Sequence, residues 1–160
     1  MALVSDLAVY GRVAGSTRAI DRYAKAVSGA LDVFDRELVG ALSRSWFSIV
    51  RFTTRHRVAG WYVDDLLLER TGLWLMNEAL EQSAREGMSL GTRLFEVGGF
   101  VLSIGAGAPL TDAWMAALRD DLWTRRKPGS LSDAEVITLY RLTMALGLVA
   151  RHRSALDDPV

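Results

Sequence analysis

The uncharged, glycine-rich stretch from Val97 to Leu110 constrains the fold of this chain more than any other feature. Its fourteen residues carry no charge, and Gly91, Gly98 and Gly105 recur at intervals of seven residues. A glycine in a helix interior costs about 1 kcal/mol relative to alanine, so a close neighbour must compensate for it. We expect a buried central helix whose three regularly spaced glycines make close contacts with neighbouring helices.

The same stretch has a second interpretation, insertion into a membrane, because small-residue stripes also mediate helix association in lipid. The tetrapeptide Gly107-Ala108-Pro109-Leu110, followed by Asp120-Asp121, resembles the hairpin tip and exit of colicin-type pore-forming domains. That resemblance implies colicin-like insertion of a buried apolar helix. A helix needs roughly twenty apolar residues to span a bilayer, so the shorter uncharged run favours the core interpretation.

Apolar residues elsewhere in the chain recur at helical spacing. A heptad-like seam predicts one long helix from about Thr17 to about Thr53; its members are Ile20, Ala24, Val27, Leu31, Phe34, Leu38 and Ala41. A short helix is expected over Met1 to Tyr10, and a break at His56 to Gly60. A second wide apolar stripe, which includes Trp74, begins near Tyr62, and Thr111 can cap a later helix. Pro128-Gly129 is a turn signal, and Ser132-x-x-Glu135 is a capping box that opens a last helix to about His152. We find no strictly alternating run. The sequence therefore predicts a single all-α domain over residues 1–160, a bundle of five or six helices.

Composition limits the classes of function. Basic and acidic residues balance at nineteen each, so no overall field favours nucleic acid or an anionic membrane. The chain has no cysteine, which excludes thiolate metal sites and fits a reducing compartment. His56 and His152 lack a second ligand at helical spacing, and adjacent carboxylates on a helix do not face each other. We expect a cytoplasmic protein that is not an enzyme and has no metal or cofactor.

One segment combines positive charge with aromatic rings. No acidic residue lies between Glu37 and Asp64, and Arg44, Arg51, Arg55 and Arg57 alternate there with aromatic side chains. Single-stranded nucleic acid or an anionic lipid surface would bind such a stretch. The alternative is that these arginines stabilise the carboxyl end of a helix. We treat the four arginines as a candidate anion-binding site.

These observations support two hypotheses of function. The first is a non-enzymatic helical interaction module, such as an adaptor, a chaperone-like protein or a regulatory subunit, that binds a protein partner or forms a homo-oligomer. It depends on the surplus of apolar surface that five tryptophans and the wide stripes create. The alternative is a membrane-active or anion-binding protein that uses the glycine-rich stretch or the basic aromatic segment.

Overall fold

The computed structural model of the chain describes residues 2–12, 16–27, 29–118 and 131–141. Three helices come first, a five-stranded sheet follows, and further helical segments flank its strands. The elements are α1 (Ala2–Tyr10), α2 (Ala19–Val27), α3 (Val33–Ser43), β1 (Trp46–Arg55), β2 (Trp61–Asp65), β3 (Arg70–Met76), α4 (Glu78–Ser83), β4 (Ser89–Val97), β5 (Phe100–Leu110) and α5 (Asp112–Leu118). Residues 133–141 are also helical.

The five strands form a closed barrel in the order β1-β2-β3-β5-β4. Every neighbouring pair is antiparallel except β3 and β5, which run parallel where Leu75 pairs with Val101 and Met76 with Leu102. The helix α4 connects β3 to β4. This strand order, with its one parallel pair and its helix between the third and fourth strands, is the topology of the oligonucleotide/oligosaccharide-binding (OB) fold.

Two apolar layers hold the barrel and its helices together. The barrel interior is filled by side chains from all five strands and α4, among them Val50, Phe52, Val63, Leu75, Leu94 and Val101. A second cluster lies outside β1 and β5, where α5 and the 133–141 helix cover the sheet; it includes Phe47, Ile49, Ala108, Met115, Val136 and Leu139. Because β1 contributes to both layers, residues 47–50 are all buried.

The prediction of an all-α bundle is wrong. The seam from Ile20 to Ala41 does form helices, but they are the separate α2 and α3 rather than one long helix. Asp32 begins α3, since its Oδ1 accepts a hydrogen bond from the backbone N–H of Asp35 at 2.8 Å. The helix then ends at Ser43, and the β-branched and aromatic residues that follow form β1. The second expected helix, near Tyr62, is β2 and β3 followed by the short α4.

The prediction of a central glycine-rich helix is also wrong. Residues 89–97, which include Gly91, form β4, and the stretch from Val97 to Leu110 contributes the turn and β5; the two strands pair up to Val97 and Phe100. Gly98 and Gly99, with φ of 60° and 87°, make the two-residue turn between them, a conformation that glycine adopts without steric cost. Because residues 97–110 are strand and turn, they do not form the first arm of the helical hairpin that colicin-like insertion requires. Among the described residues, no helix is long and apolar enough to cross a membrane.

Several local predictions are confirmed. Residues 2–10 form the expected short first helix. In the capping box, Ser132 N–H donates to Glu135 Oε2 at 2.7 Å, and Glu135 N–H donates to Ser132 Oγ at 3.4 Å. Thr111 precedes α5 and accepts from Trp114 N–H at 3.3 Å. The expected turn at Pro128-Gly129 and the end of the last helix near His152 lie outside the described residues.

Candidate functional site

Four aromatic side chains form a cluster on the outside of β2, β3 and the start of β5. Tyr62 and Trp74 are cross-strand partners, and the Trp74 and Phe100 ring centroids are 5.6 Å apart. The His56 ring stacks on Trp74 with 4.1 Å between centroids and meets the Tyr62 ring edge-on at 5.1 Å. Tyr62 is 36% exposed, and the other three side chains are partly exposed. We call His56, Tyr62, Trp74 and Phe100 the aromatic face.

Strand alternation explains why these rings point outward. In β2, Trp61 and Val63 enter the barrel core, so the residue between them, Tyr62, lies on the outer surface. In β3, Leu75 is buried in the same core and Trp74 lies on the opposite side. The indole N–H of Trp74 donates to the Ala59 carbonyl at 2.7 Å, which fixes the ring against the β1–β2 loop.

The β1–β2 loop, residues 56–60, places His56 over Trp74. The backbone N–H of His56 donates to Gly60 O at 3.0 Å, and His56 Nδ1 accepts from the N–H groups of Val58 and Ala59 at 3.3 and 3.5 Å. Gly60 has φ of 75°, and a Cβ there would stand 2.2 Å from Leu75 O, so only glycine fits. These hydrogen bonds close the loop on itself and hold the His56 ring beside the sheet.

The four arginines of the predicted anion site do not come together. Arg44 is the C-cap of α3, and Arg51 lies in a cleft beside Leu110, on the outer side of β1. The guanidinium of Arg55 lies 5.3 Å from the centroid of the Trp61 ring, and it also donates to the Glu81 carbonyl.

Only one of the four belongs to the loop that carries His56. Arg57 is exposed in that loop, next to the aromatic face, and forms no ion pair with any described residue. The common helix face expected for the four arginines does not exist, because residues 46–55 form a strand. Anion binding by these arginines stays a prediction.

The three glycines predicted to share a helix stripe have three different environments. A Cβ on Gly91 in β4 would stand 2.9 Å from Leu139 Cδ2, so β4 and the 133–141 helix approach closely there. Gly98 is in the β4–β5 turn, and its nearest neighbour would be the Phe100 ring at 3.5 Å. Gly105 has φ of 76° and faces Asp6 of α1. The three glycines therefore do not form one stripe of close helix packing.

No local sequence pattern indicated the aromatic face. Tyr62 was part of the basic aromatic segment, but Trp74 and Phe100 read as members of apolar helix faces, and His56 read as a helix break. The one local signal in this region was the glycine pair 98–99, which is typical of a hairpin turn and fits the pairing of β4 with β5. Among the described residues, no group of three or more His, Cys, Asp or Glu side chains could hold a metal ion.

The fold and this surface define a β-barrel of OB topology that carries partly exposed aromatic rings on its β2–β3 face. The chain belongs to a family of unknown function, DUF7986, whose model matches residues 1–150. Comparisons with curated proteins and with solved structures gave no match.

Proposed function

We propose that this protein is a non-enzymatic binding module that holds single-stranded nucleic acid on the aromatic face. The observation that carries the proposal is the position of the rings. In the OB topology, oligonucleotides and oligosaccharides bind over strands 2 and 3, between the β1–β2 and β4–β5 loops. Tyr62 and Trp74 lie on those strands, His56 lies in the first loop, and Phe100 follows the second. The exposed rings support the proposal independently of the strand topology.

Stacking would supply most of the binding free energy. A base stacked on an aromatic side chain is worth about 1–3 kcal/mol by alanine substitution, and every base has a ring face to offer. Tyr62, Phe100 and the outer side of His56 offer such faces, while the inner side of His56 is occupied by Trp74. We therefore expect binding that tolerates many sequences.

The charges around the aromatic face predict a small salt dependence. Arg57 is the exposed cation of the β1–β2 loop, whereas Arg70 is paired with Glu96 at 3.1 Å. Asp64, on the outer side of β2, adds negative charge nearby. Each phosphate neutralised on a single strand changes the slope of log K against log salt by about −0.7. We expect a slope that corresponds to one or two phosphates.

The test is fluorescence anisotropy with a fluorescein-labelled oligothymidylate of twelve nucleotides at low and moderate salt. Tyr62→Ala should weaken binding by roughly 5- to 150-fold, which corresponds to about 1–3 kcal/mol for one stacked base. Arg57→Gln should reduce the salt slope by about 0.7. The matched control is Tyr23→Ala, which removes another exposed tyrosine, 52% accessible, from α2.

Either of two outcomes would reject nucleic-acid binding at this face. One is no binding of the oligonucleotide to the unaltered protein at low salt. The other is equal affinity of Tyr62→Ala and Tyr23→Ala, since stacking on Tyr62 would then contribute nothing.

A second candidate function is self-association through the α2–α3 hairpin, which continues the hypothesis of an interaction module. Among the described residues, three of the five large exposed apolar side chains lie there: Tyr23 at 52%, Val33 at 78% and Phe34 at 68%. We propose a second copy of this chain as the partner. Light scattering across a range of concentrations should show a dimer that Phe34→Gln weakens, and a strict monomer at every concentration would contradict it.

We also propose that the protein is located in the cytoplasm. This proposal rests on the absence of cysteine, which is typical of proteins that do not depend on disulfides.

A further inference from the structure

A cavity of about 390 Å³ lies beside the start of β1, and none of its lining residues belongs to the aromatic face. The end of α1, the start of β1, Arg93 of β4 and the start of the 133–141 helix surround it. Its polar wall includes Tyr10, Arg18, Ser45 and Arg93 together with Arg12, Ser132 and Asp133, and its apolar wall includes Trp46 and Val136. Cavities that bind small molecules measure about 300–1,000 Å³ and combine such apolar walls with a few polar groups.

A buried guanidinium forms one side of the cavity. The Arg93 side chain is 7% exposed, and its Nε and Nη2 donate to the two carboxylate oxygens of Asp6 at 2.7 and 3.4 Å. Its guanidinium carbon lies 4.6 Å from the centroid of the Tyr10 ring. These contacts fix the cation and do not use Nη1, which keeps two N–H donors.

A second guanidinium is fixed in the same way. Nε and Nη2 of Arg18 donate to the Asp21 carboxylate at 2.8 and 2.7 Å, and Nη2 also donates to Ser43 O at 2.5 Å. Its Nη1 takes part in none of these bonds. Burial raises the pKa of the neighbouring Tyr10 phenol, although Arg93 opposes the shift. A phenol already keeps its proton at neutral pH, so this hydroxyl is a donor.

The Ser45 hydroxyl is a second indication, independent of the two guanidinium groups, that the cavity binds a ligand. The residue is 6% exposed and lines the cavity, yet its hydroxyl has no hydrogen-bond partner in the part of the chain that the structure describes. A buried hydroxyl without a partner is unfavourable, so such groups are uncommon in native proteins and require an explanation. An acceptor bound in the cavity would provide one.

The cavity offers more unused donors than acceptors. The Asp6 and Asp21 carboxylates are already paired with Arg93 and Arg18. Asp133 also lines the cavity, and its Oδ2 accepts from Arg12 N–H at 2.6 Å. What remains is chiefly two guanidinium Nη1 groups and two hydroxyls, a set that suits an oxyanion.

We propose that this cavity binds a small organic anion, a carboxylate or phosphate group attached to an apolar body. The oxyanion accepts from Arg93, Arg18 and Ser45, and the apolar body lies against Trp46 and Val136. This site is separate from the aromatic face and does not depend on nucleic-acid binding.

The experiment is isothermal titration of the full chain with benzoate, phenyl phosphate and the neutral benzyl alcohol as probes. At least one anion should bind about tenfold or more tightly than benzyl alcohol, because charge-assisted hydrogen bonds are the difference between them. Comparison of benzoate with phenyl phosphate shows which oxyanion the site takes. If neither anion binds more tightly than benzyl alcohol, the proposal is wrong.

Ser45→Ala tests the site without removing a buried ion pair. It should weaken binding of the preferred anion by about tenfold, while the melting temperature of the free protein stays the same or rises. The control is Ser43→Ala, because the Ser43 hydroxyl is also buried and without a partner among the described residues but does not line the cavity. Equal affinities of the two variants would overturn the role of Ser45. Tyr62→Ala should retain anion binding, which separates this site from the aromatic face.

Discussion

Gly91 lies where β4 passes under the 133–141 helix, and the structure leaves almost no space for a side chain there. A Cβ would stand 2.9 Å from Leu139 Cδ2 and 3.3 Å from Phe47 Cζ. Leu139 and Phe47 are both buried, so neither can turn away into solvent. The absence of a side chain at Gly91 therefore sets the distance between β4 and the 133–141 helix.

We expect Gly91→Ala to lower the free energy of unfolding by about 1–3 kcal/mol, because overpacking forces buried neighbours to shift. Urea denaturation measures the change. The control is Gly29→Ala, where a Cβ would meet nothing within 4 Å, and which should be neutral or slightly stabilising. If Gly91→Ala were as stable as Gly29→Ala, the close approach of β4 and the helix would be refuted.

Tyr140, in the helix over residues 133–141, makes the free energy of unfolding depend on pH. The residue is 2% exposed, and its ring meets the Phe47 ring edge-on with 5.4 Å between centroids. Burial raises the pKa of the Tyr140 phenol above its ordinary value; Asp6 raises it further, and Arg93 opposes the shift. The folded state therefore holds this proton more tightly than the unfolded chain does.

Because the folded pKa is the higher one, the stability linked to this proton is complete below the unfolded value of about 10 and is lost as pH rises towards the folded value. Each unit of pH in that window should cost about 1.4 kcal/mol. Urea midpoints between pH 8 and 11.5 should fall less steeply for Tyr140→Phe than for the unaltered protein. The exposed Tyr23, replaced by Phe, serves as control and should leave the slope unchanged.

Among the elements, the turn from β2 to β3 depends on one buried carboxylate. Asp65 is 1% exposed at the end of β2. Its Oδ2 accepts from the Trp46 indole at 2.9 Å, and its Oδ1 accepts from the Ser48 hydroxyl and from the N–H groups of Leu67 and Leu68 at 3.1 and 3.0 Å. The carboxylate thus ties β1 to the turn over residues 66–69.

Asp65→Asn should lower the free energy of unfolding by about 2–4 kcal/mol, because an amide places a donor among four donors and loses the charge-assisted bonds. The neighbouring Asp64 is the control. It lies on the outer side of β2 and accepts one hydrogen bond, from Gly72 N–H at 3.0 Å. Asp64→Asn should cost under about 1 kcal/mol. Similar midpoints for the two variants in urea would contradict the role assigned to Asp65.

The elements also show what the sequence could predict. Helical spacing predicted α1 and marked the region of α2 and α3 as helical, but as one long helix that ran on into β1. The capping box at Ser132 is present as expected. The strand β1 was not predicted because it is buried on both faces, so its residues 46–52 show no alternation of apolar and polar side chains. An apolar run of that kind cannot be assigned to helix or strand by periodicity alone.

The candidate site was harder to predict than the elements. The aromatic face brings together residues 56, 62, 74 and 100, and their proximity depends on the register between β2, β3 and β5. That register is set by long-range pairing and not by any local pattern. Arg57 was identified in advance as part of a basic segment, but its position beside a stacked histidine follows only from the folded loop.

At the scale of the whole molecule, the helices within the described residues are distributed unevenly around the barrel. The helices α5 and 133–141 cover the outer side of β1 and β5, and α1 reaches β4 through the buried Asp6–Arg93 pair. The β2–β3 side keeps Tyr62 and its neighbouring rings partly exposed. One side of the barrel is therefore packed for stability, and the other retains the surface that we propose for binding.

Closure of the barrel limits how a partner can be recognised. Each of the five strands has a hydrogen-bonded neighbour on both sides, so the described sheet has no strand that is free along its whole length. This leaves no full-length edge strand for β-augmentation, the addition of a further strand to an open edge, although β5 pairs with β3 only at Val101 and Leu102. On the β2–β3 side, recognition uses side chains that project from the barrel. Affinity and specificity can then change by single substitutions at the surface while the pairing of the strands stays the same.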